Sequence, residues 1–419
     1  MRSRPAVLVV TAATVAALAG CGSDPGPAAS VAQPLSGSVA AGDAAAPSSG
    51  AITATVPAAS PTPTVKASPS ATPTKKPTPT PSPTRTAAPA VVAPATFGNP
   101  AGKAAVPAEA RAVDTRRATR VVGTGTAASC TSAAVVRAVA RGGIIRFNCG
   151  SKPVTIKMTS TAKVVNTSAR VVLDGGGKVT LSGGGVRRIF YMNTCDPKQT
   201  FTTPHCQDQA TPNLTLQNLT FANGNSTGDM TEGGGGGAVF VRGGRVKIVN
   251  SRFVSNRCDT MGPDVGGAAV RVLSQYRGLP VYVVRSTFEK GICSNGGGVS
   301  SIGVSWTILN SVFRDNKAIG RGANPAQRGL PGGGSGGAIY NDGNKMLLRI
   351  AGTIIERNTA NEGGGAVFYV SNDRTGSMRI ENSVLRRNPS AGFETAGYPG
   401  IFYLGSGAAP VVVGRRPSR

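Results

Sequence analysis

The sequence predicts an all-β solenoid of stacked parallel strands, one coil per repeat, following a long linker with no fold of its own. Three observations lead there. Gly pairs followed by small or apolar residues recur at Gly236-Gly237, Gly266-Gly267, Gly297-Gly298, Gly336-Gly337 and Gly364-Gly365. Between them, six segments align on Asn218, Asn250, Arg285, Asn310, Gly352 and Asn382, each with a bulky apolar residue three positions on: Phe221, Phe253, Phe288, Phe313, Ile355 and Leu385. The 57 Gly and 30 Pro are distributed unevenly, with most Pro before residue 110, which separates an unfolded part from a Gly-rich folded part.

At the N-terminus, Arg2 and Arg4 precede a short apolar run, Ala6 to Ala17, too short to span a bilayer. It ends in Leu18-Ala19-Gly20-Cys21, which resembles the lipobox of bacterial lipoproteins. The resemblance implies a signal peptide over 1–21 and a mature chain beginning at a lipidated Cys21, anchored to the outer face of the cell membrane. Residues 22–115 are rich in Ala, Pro, Thr and Ser, as in Lys76-Pro77-Thr78-Pro79-Thr80-Pro81, and cannot bury enough apolar surface to fold. They read as an extended, semi-rigid stalk. The folded domain is expected over 116–419.

That domain should open with a capping helix. Thr131 suits its N-cap, Ala133 to Ala140 its body, and Gly142-Gly143 its end, with Ile144 to Phe147 starting the first strand. Early strands are expected at Val154–Met158, at Val171 to Leu173 before Gly175–Gly177, and at Val179 to Leu181.

The repeats themselves carry period-two patterning. Two residues before the anchor stand Leu216, Ile248, Val283, Ile308, Ile350 and Ile380; four before stand Leu214, Val246, Val281, Trp306, Leu348 and Met378. These form the inward face. Between them lie Thr215, Lys247, Tyr282, Thr307, Arg349 and Arg379, the outward face. The anchor Asn residues suit a bend, where Asn tolerates the left-handed region. Ser251, Ser286, Ser311, Thr353 and Ser383 would form a second polar stack beside them.

Leaving out Cys21, six cysteines remain: Cys130, Cys149, Cys195, Cys206, Cys258 and Cys293. An even number in an exported domain implies disulfides. Six cysteines allow 15 pairings; the sequential one is the simplest. Zinc binding is disfavoured, since there is no CxxC and the one histidine is His205.

The Gly-Gly-Ala and Phe-x-x-Asn repeats resemble those of polymorphic membrane-protein adhesins. The cysteine-flanked start resembles bacterial right-handed parallel β-helix proteins of the pectate-lyase-like superfamily. The resemblance covers about 120–410 and implies a right-handed single-stranded parallel β-helix. It implies no one activity, because the fold hosts lyases, hydrolases, epimerases, adhesins and phage spikes.

The net charge is +26, and residues 116–419 alone carry 37 basic against 15 acidic side chains. A domain so basic attracts polyanions, unless the charge serves solubility alone. The expected ligand site is the outward column Lys247, Tyr282, Arg349 and Arg379, where cations and an aromatic ring suit an anionic glycan. Catalytic patterns are missing: no acidic run like the Ca²⁺ face of pectate lyases, and no adjacent Asp pair like that of polygalacturonases. The glycine runs Gly233–Gly237 and Gly332–Gly334 precede no helix and are not phosphate loops. The acidic residues Asp229, Glu232, Asp259 and Asp264 fall in neighbouring loops, where they could converge on a Ca²⁺; no other cofactor is implied. Function is therefore read as non-catalytic binding of an anionic polysaccharide or cell-wall polymer by a monomer, without specific nucleic-acid recognition. The alternatives are a polysaccharide lyase or hydrolase, and an adhesive or purely structural surface protein.

Overall fold

A computed structural model describes residues 97–419 except 325 and 326. The signal segment, Cys21 and the linker up to residue 96 lie outside the described residues. The fold is a parallel β-solenoid, and its strand pairs are parallel throughout, from the first pair to the last.

One coil illustrates the rest. Strand Val239–Arg242 leads through Gly243-Gly244 into Arg245–Val249; the chain bends at Asn250 and continues as Arg252–Val254. It bends again at Ser255, and a Gly-rich loop then returns it to Val270–Leu273, directly beside Val239–Arg242 in the next coil. Strands such as Arg245–Val249 and Arg252–Val254 stack into the largest sheet; strands such as Val239–Arg242 stack into a second; short strands such as Ile292–Cys293 make a third.

The patterning places the core as expected. Leu216, Ile248, Val283, Ile308 and Ile350 are fully buried, as are Val281, Trp306 and Met378 to within a per cent. Phe221, Phe253, Phe288 and Phe313 stack ring on ring at 4.9, 4.8 and 4.6 Å, the spacing of the coils themselves. At the bend, Asn218, Asn250, Arg285, Asn310 and Asn382 take φ between 43° and 53°, and Gly352 takes 59°. The left-handed turn needed in every coil explains why Asn and Gly recur there.

The buried hydroxyl stack beside it is a hydrogen-bond ladder between coils. Each hydroxyl accepts from the backbone N–H of the coil before: Ser251 N–H to Ser286 Oγ at 3.1 Å, then Ser286 to Ser311, Ser311 to Thr353 and Thr353 to Ser383. A parallel ladder runs through Asn316, Asn358 and Asn388. These residues satisfy buried polar groups that the bends remove from the sheets.

The helix runs over Ser132–Arg141, with Thr131 Oγ1 accepting from Ala134 N–H at 3.2 Å and Gly142 at φ 63° ending it. Its Val135, Ala138 and Val139 join the main core. The early strands differ from the sequence reading in one respect. Val171 to Leu173 and Val179 to Leu181 belong to a single strand, Arg170–Ser182, whose register shifts between Asp174 and Val179. Gly176 and Gly177, both at positive φ, let the strand bulge there without breaking. The disulfides are Cys130–Cys149, Cys195–Cys206 and Cys258–Cys293, the sequential set.

Residues 97–115 fall in the stretch that composition assigned to the linker, but they are docked on the solenoid. This strap is tied to side chains at the bend. Phe97 N–H donates to Asn250 Oδ1, Asn310 exchanges two bonds with the backbone of Ala104, and Gln217 exchanges two with Val113. Ala104, Val106 and Ala110 pack on an outward apolar stripe, Val249, Val284, Leu309 and Ala351. That stripe is why the segment docks: its residues have the parity of the solvent side, yet they are aliphatic and need cover.

Candidate functional site

Between the strap and the outer face of the largest sheet lies a cleft of about 260 Å³. Its floor comes from the first outward columns. Strand register sets Thr215, Lys247 and Tyr282 side by side in one row, and Arg170, Asn213 and Arg245 in the neighbouring row. Arg170 and Arg245 stand two coils apart, roughly 10 Å at the usual strand spacing. Neither guanidinium enters an ion pair among the described residues. The wall is the strap, with Val113 and Glu109 facing the cleft.

Lys247 Nζ donates to the backbone carbonyls of Glu109 at 3.0 Å and Arg111 at 2.7 Å, and the Tyr282 hydroxyl donates to Glu109 Oε1 at 3.0 Å. The electrostatics follow from this packing. Half-burial, then repulsion from Arg245, lowers the Lys247 ammonium below the ordinary lysine range. Burial, then the Glu109 bond, raises Tyr282. The backbone bond at Glu109 and then the Tyr282 hydroxyl hold the Glu109 carboxyl below its usual range. The cleft thus brings together a lysine, two arginines, a tyrosine and one glutamate.

The expected binding column therefore splits. Lys247 and Tyr282 line this cleft, and Thr215 lies beneath the strap, only 4% exposed. Arg349 and Arg379 lie further along the column, both bonded to Glu381, Arg349 Nη2 at 2.6 Å. Arg349 borders a second cavity of about 460 Å³ with Lys103 of the strap. Sequence reasoning missed Arg170, Arg245 and Glu109. The signal was available in the outward apolar residues Val249, Val284, Leu309 and Ala351, whose breach of alternation announces a covering segment.

The acidic residues expected at a Ca²⁺ site each have a protein contact. Asp229 pairs with Arg188, Glu232 with Arg242, and Asp259 Oδ1 accepts from Gly228 N–H at 2.9 Å. Asp264 offers its backbone carbonyl to Arg271. No group of three His, Cys, Asp or Glu able to hold a metal forms among the described residues.

Arg188 is the other residue whose role no local sequence pattern shows. It is 5% exposed, stacks over Phe240 and Tyr191, and donates to the carbonyls of Gly235 and Gly236. It fastens the Gly-rich loop over the outer side of the second sheet. His205 stands beside the Cys195–Cys206 bridge at the start of a one-turn 3-10 helix.

No family model, no curated protein and no solved structure matches the chain.

Proposed function

We propose that this is an exported surface protein that binds an anionic polysaccharide or cell-wall polymer in the cleft between the strap and the largest sheet. The observation that carries the reading is the pair Arg170 and Arg245, in no ion pair among the described residues and facing one cleft beside Lys247 and Tyr282. Further along the same sheet, glutamates neutralise arginines: Glu289 pairs with Arg252 and Arg314, Glu356 with Arg357 and Arg386, and Glu381 with Arg349 and Arg379. Cations left without acid partners suit polyanion binding, and a phenol among them suits stacking on a sugar ring.

The reading is of a binder rather than a catalyst. Glycosidic hydrolysis commonly uses two carboxylates flanking the bond, and this cleft presents Glu109 alone among its lining residues. In this reading the solenoid is right-handed and pectate-lyase-like, the helix Ser132–Arg141 closes its first coil, and the domain is a monomer held to the membrane through lipidated Cys21. Three disulfides in one domain support an oxidising compartment outside the cytoplasm.

The test incubates the full chain with uronate polysaccharides, neutral glycans and wall teichoic acid at low and high salt, following co-sedimentation, ultraviolet absorbance and reducing ends. Salt-sensitive retention by anionic polymers without products is expected. Product formation from any of them would replace this reading with an enzymatic one.

A further inference from the structure

The cleft already holds an anion from the chain itself. Glu109 sits on the turn Ala108–Ala110, between Pro107 at φ −66° and the fully buried Ala110. Ala110 anchors the turn in the apolar stripe, and the Lys247 ammonium grips the carbonyls of Glu109 and Arg111. The backbone around Glu109 is therefore fixed, while its side chain is exposed and held at the tip by the Tyr282 hydroxyl. It faces Arg245 without any hydrogen bond or ion pair to it, unlike Glu289, Glu356 and Glu381, which bind their arginines directly.

From this geometry we infer that Glu109 is a built-in competitor. Its carboxylate occupies the place where an anionic group of the polymer would meet Tyr282, Lys247 and Arg245, and the polymer binds by displacing it. The inference rests on the reading of the cleft as a polyanion site. Displacement requires only that an exposed side chain rotate away, while Ala110 and the Lys247 clamp keep the strap in place. Because the strap leads directly into the segment preceding residue 97, the competitor is tethered in cis and its effective concentration is independent of protein concentration. The consequence is a raised threshold: sparse anionic groups fail to displace Glu109, while a densely charged polymer succeeds.

The experiment measures dissociation constants of the full chain for polygalacturonate and for poly(glycerol phosphate) at low salt, in the wild type, Glu109→Gln and Asp114→Asn. Asp114 is a strap carboxylate paired with Arg116, and Asp114→Asn makes the same change of charge. Glu109→Gln is expected to tighten binding about fivefold or more, the scale of a modest coupling between competing groups, while Asp114→Asn leaves it within about twofold. In a Tyr282→Phe background the gain should shrink, because the contested donor is gone. Weaker binding by Glu109→Gln would make Glu109 a ligand contact and overturn the inference. Unchanged binding would make it a bystander and overturn it too, as would an equal gain from Asp114→Asn. If the wild type and Glu109→Gln both fail to hold either polymer, the reading of the cleft itself falls, and the inference with it.

Discussion

The outer sides of the two larger sheets meet the same problem, a broad stacked surface, in opposite ways. On the second sheet the outward column runs Tyr191, Phe240, Arg271, Ser300, Tyr340, Phe368 and Phe402. Gly-rich loops fold over its first part, where Phe240, Arg271 and Ser300 are at most 2% exposed. Beneath these loops Arg188 and Arg271 lose exposure and are lowered by burial, and they hold loop carbonyls. On the largest sheet a single strap covers the apolar stripe and leaves a cleft beside it, with cations at the surface. Charge on one side holds structure together; on the other it remains available for a ligand. The same residue type, arginine, has two roles: burial fixes the first, and the lack of an ion pair at the cleft leaves the second open.

The comparison breaks most visibly at Arg188. Arg188→Ala leaves the carbonyls of Gly235 and Gly236 unsatisfied beneath the loop, so the unfolding free energy in urea should fall by about 3–5 kcal/mol. Arg245→Ala on the open side should stay within about 0.5 kcal/mol of wild type; similar losses at both sites would erase the distinction. Next in size is the Cys258–Cys293 bridge, which ties Cys258 to the short strand Ile292–Cys293 of the next coil. Replacing both with Ser should cost about 2–4 kcal/mol, and reductant should lower the Tm of the wild type.

Acid should act through the ion pairs of the largest sheet. Burial raises the Glu289 carboxyl, but bonds from Arg314 and Arg252 outweigh it, and its pKa falls below the ordinary 4.5. Glu356 is lowered in the same way by Arg386 and Arg357, and Glu381 by Arg349 first. Depressed carboxyls stabilise the fold above their unfolded value and lose that contribution as the pH falls through the folded value. The Tm should therefore be flat above the ordinary glutamate value and decline below 4.5, an effect that Glu289→Gln should blunt. A decline already complete at neutral pH would refute this account. The smallest effect expected is from chelator: the carboxylates of Asp229, Glu232 and Asp259 each bond a protein group, so EDTA should leave the Tm unchanged. A large loss would instead reveal a cation held near Asp229 and Asp259.

Much of the fold was legible because each coil repeats its chemistry. The inward pairs such as Val283 and Val281, the Phe221 to Phe313 stack, the bend at Asn250 and the hydroxyl ladder from Ser251 are all short-range signals that recur at one register. The linker was legible only in part. Composition describes what a segment can bury in itself, and residues 97–115 bury little; they dock by matching Asn310, Gln217 and an apolar stripe far away in sequence. Half the cleft was missed for the same reason. Lys247 and Tyr282 share a repeat column, whereas Arg170 comes from an irregular early coil and Glu109 from the strap. The role of Arg188 is not legible because no local pattern shows that a distant glycine loop closes over it.

The most direct test of the account asks whether the cleft, rather than the net charge of +26, binds the polymer. Two double variants remove equal charge from the full chain. Arg170→Ala with Arg245→Ala strips the cleft; Arg257→Ala with Lys317→Ala strips exposed cations at the third sheet. Their affinities for polygalacturonate and poly(glycerol phosphate) are compared with wild type at low salt. The cleft variant should lose at least about tenfold, or about 1.4 kcal/mol, and the other variant less than about twofold. Equal losses from both would show that the charge acts diffusely and that the cleft is not the site.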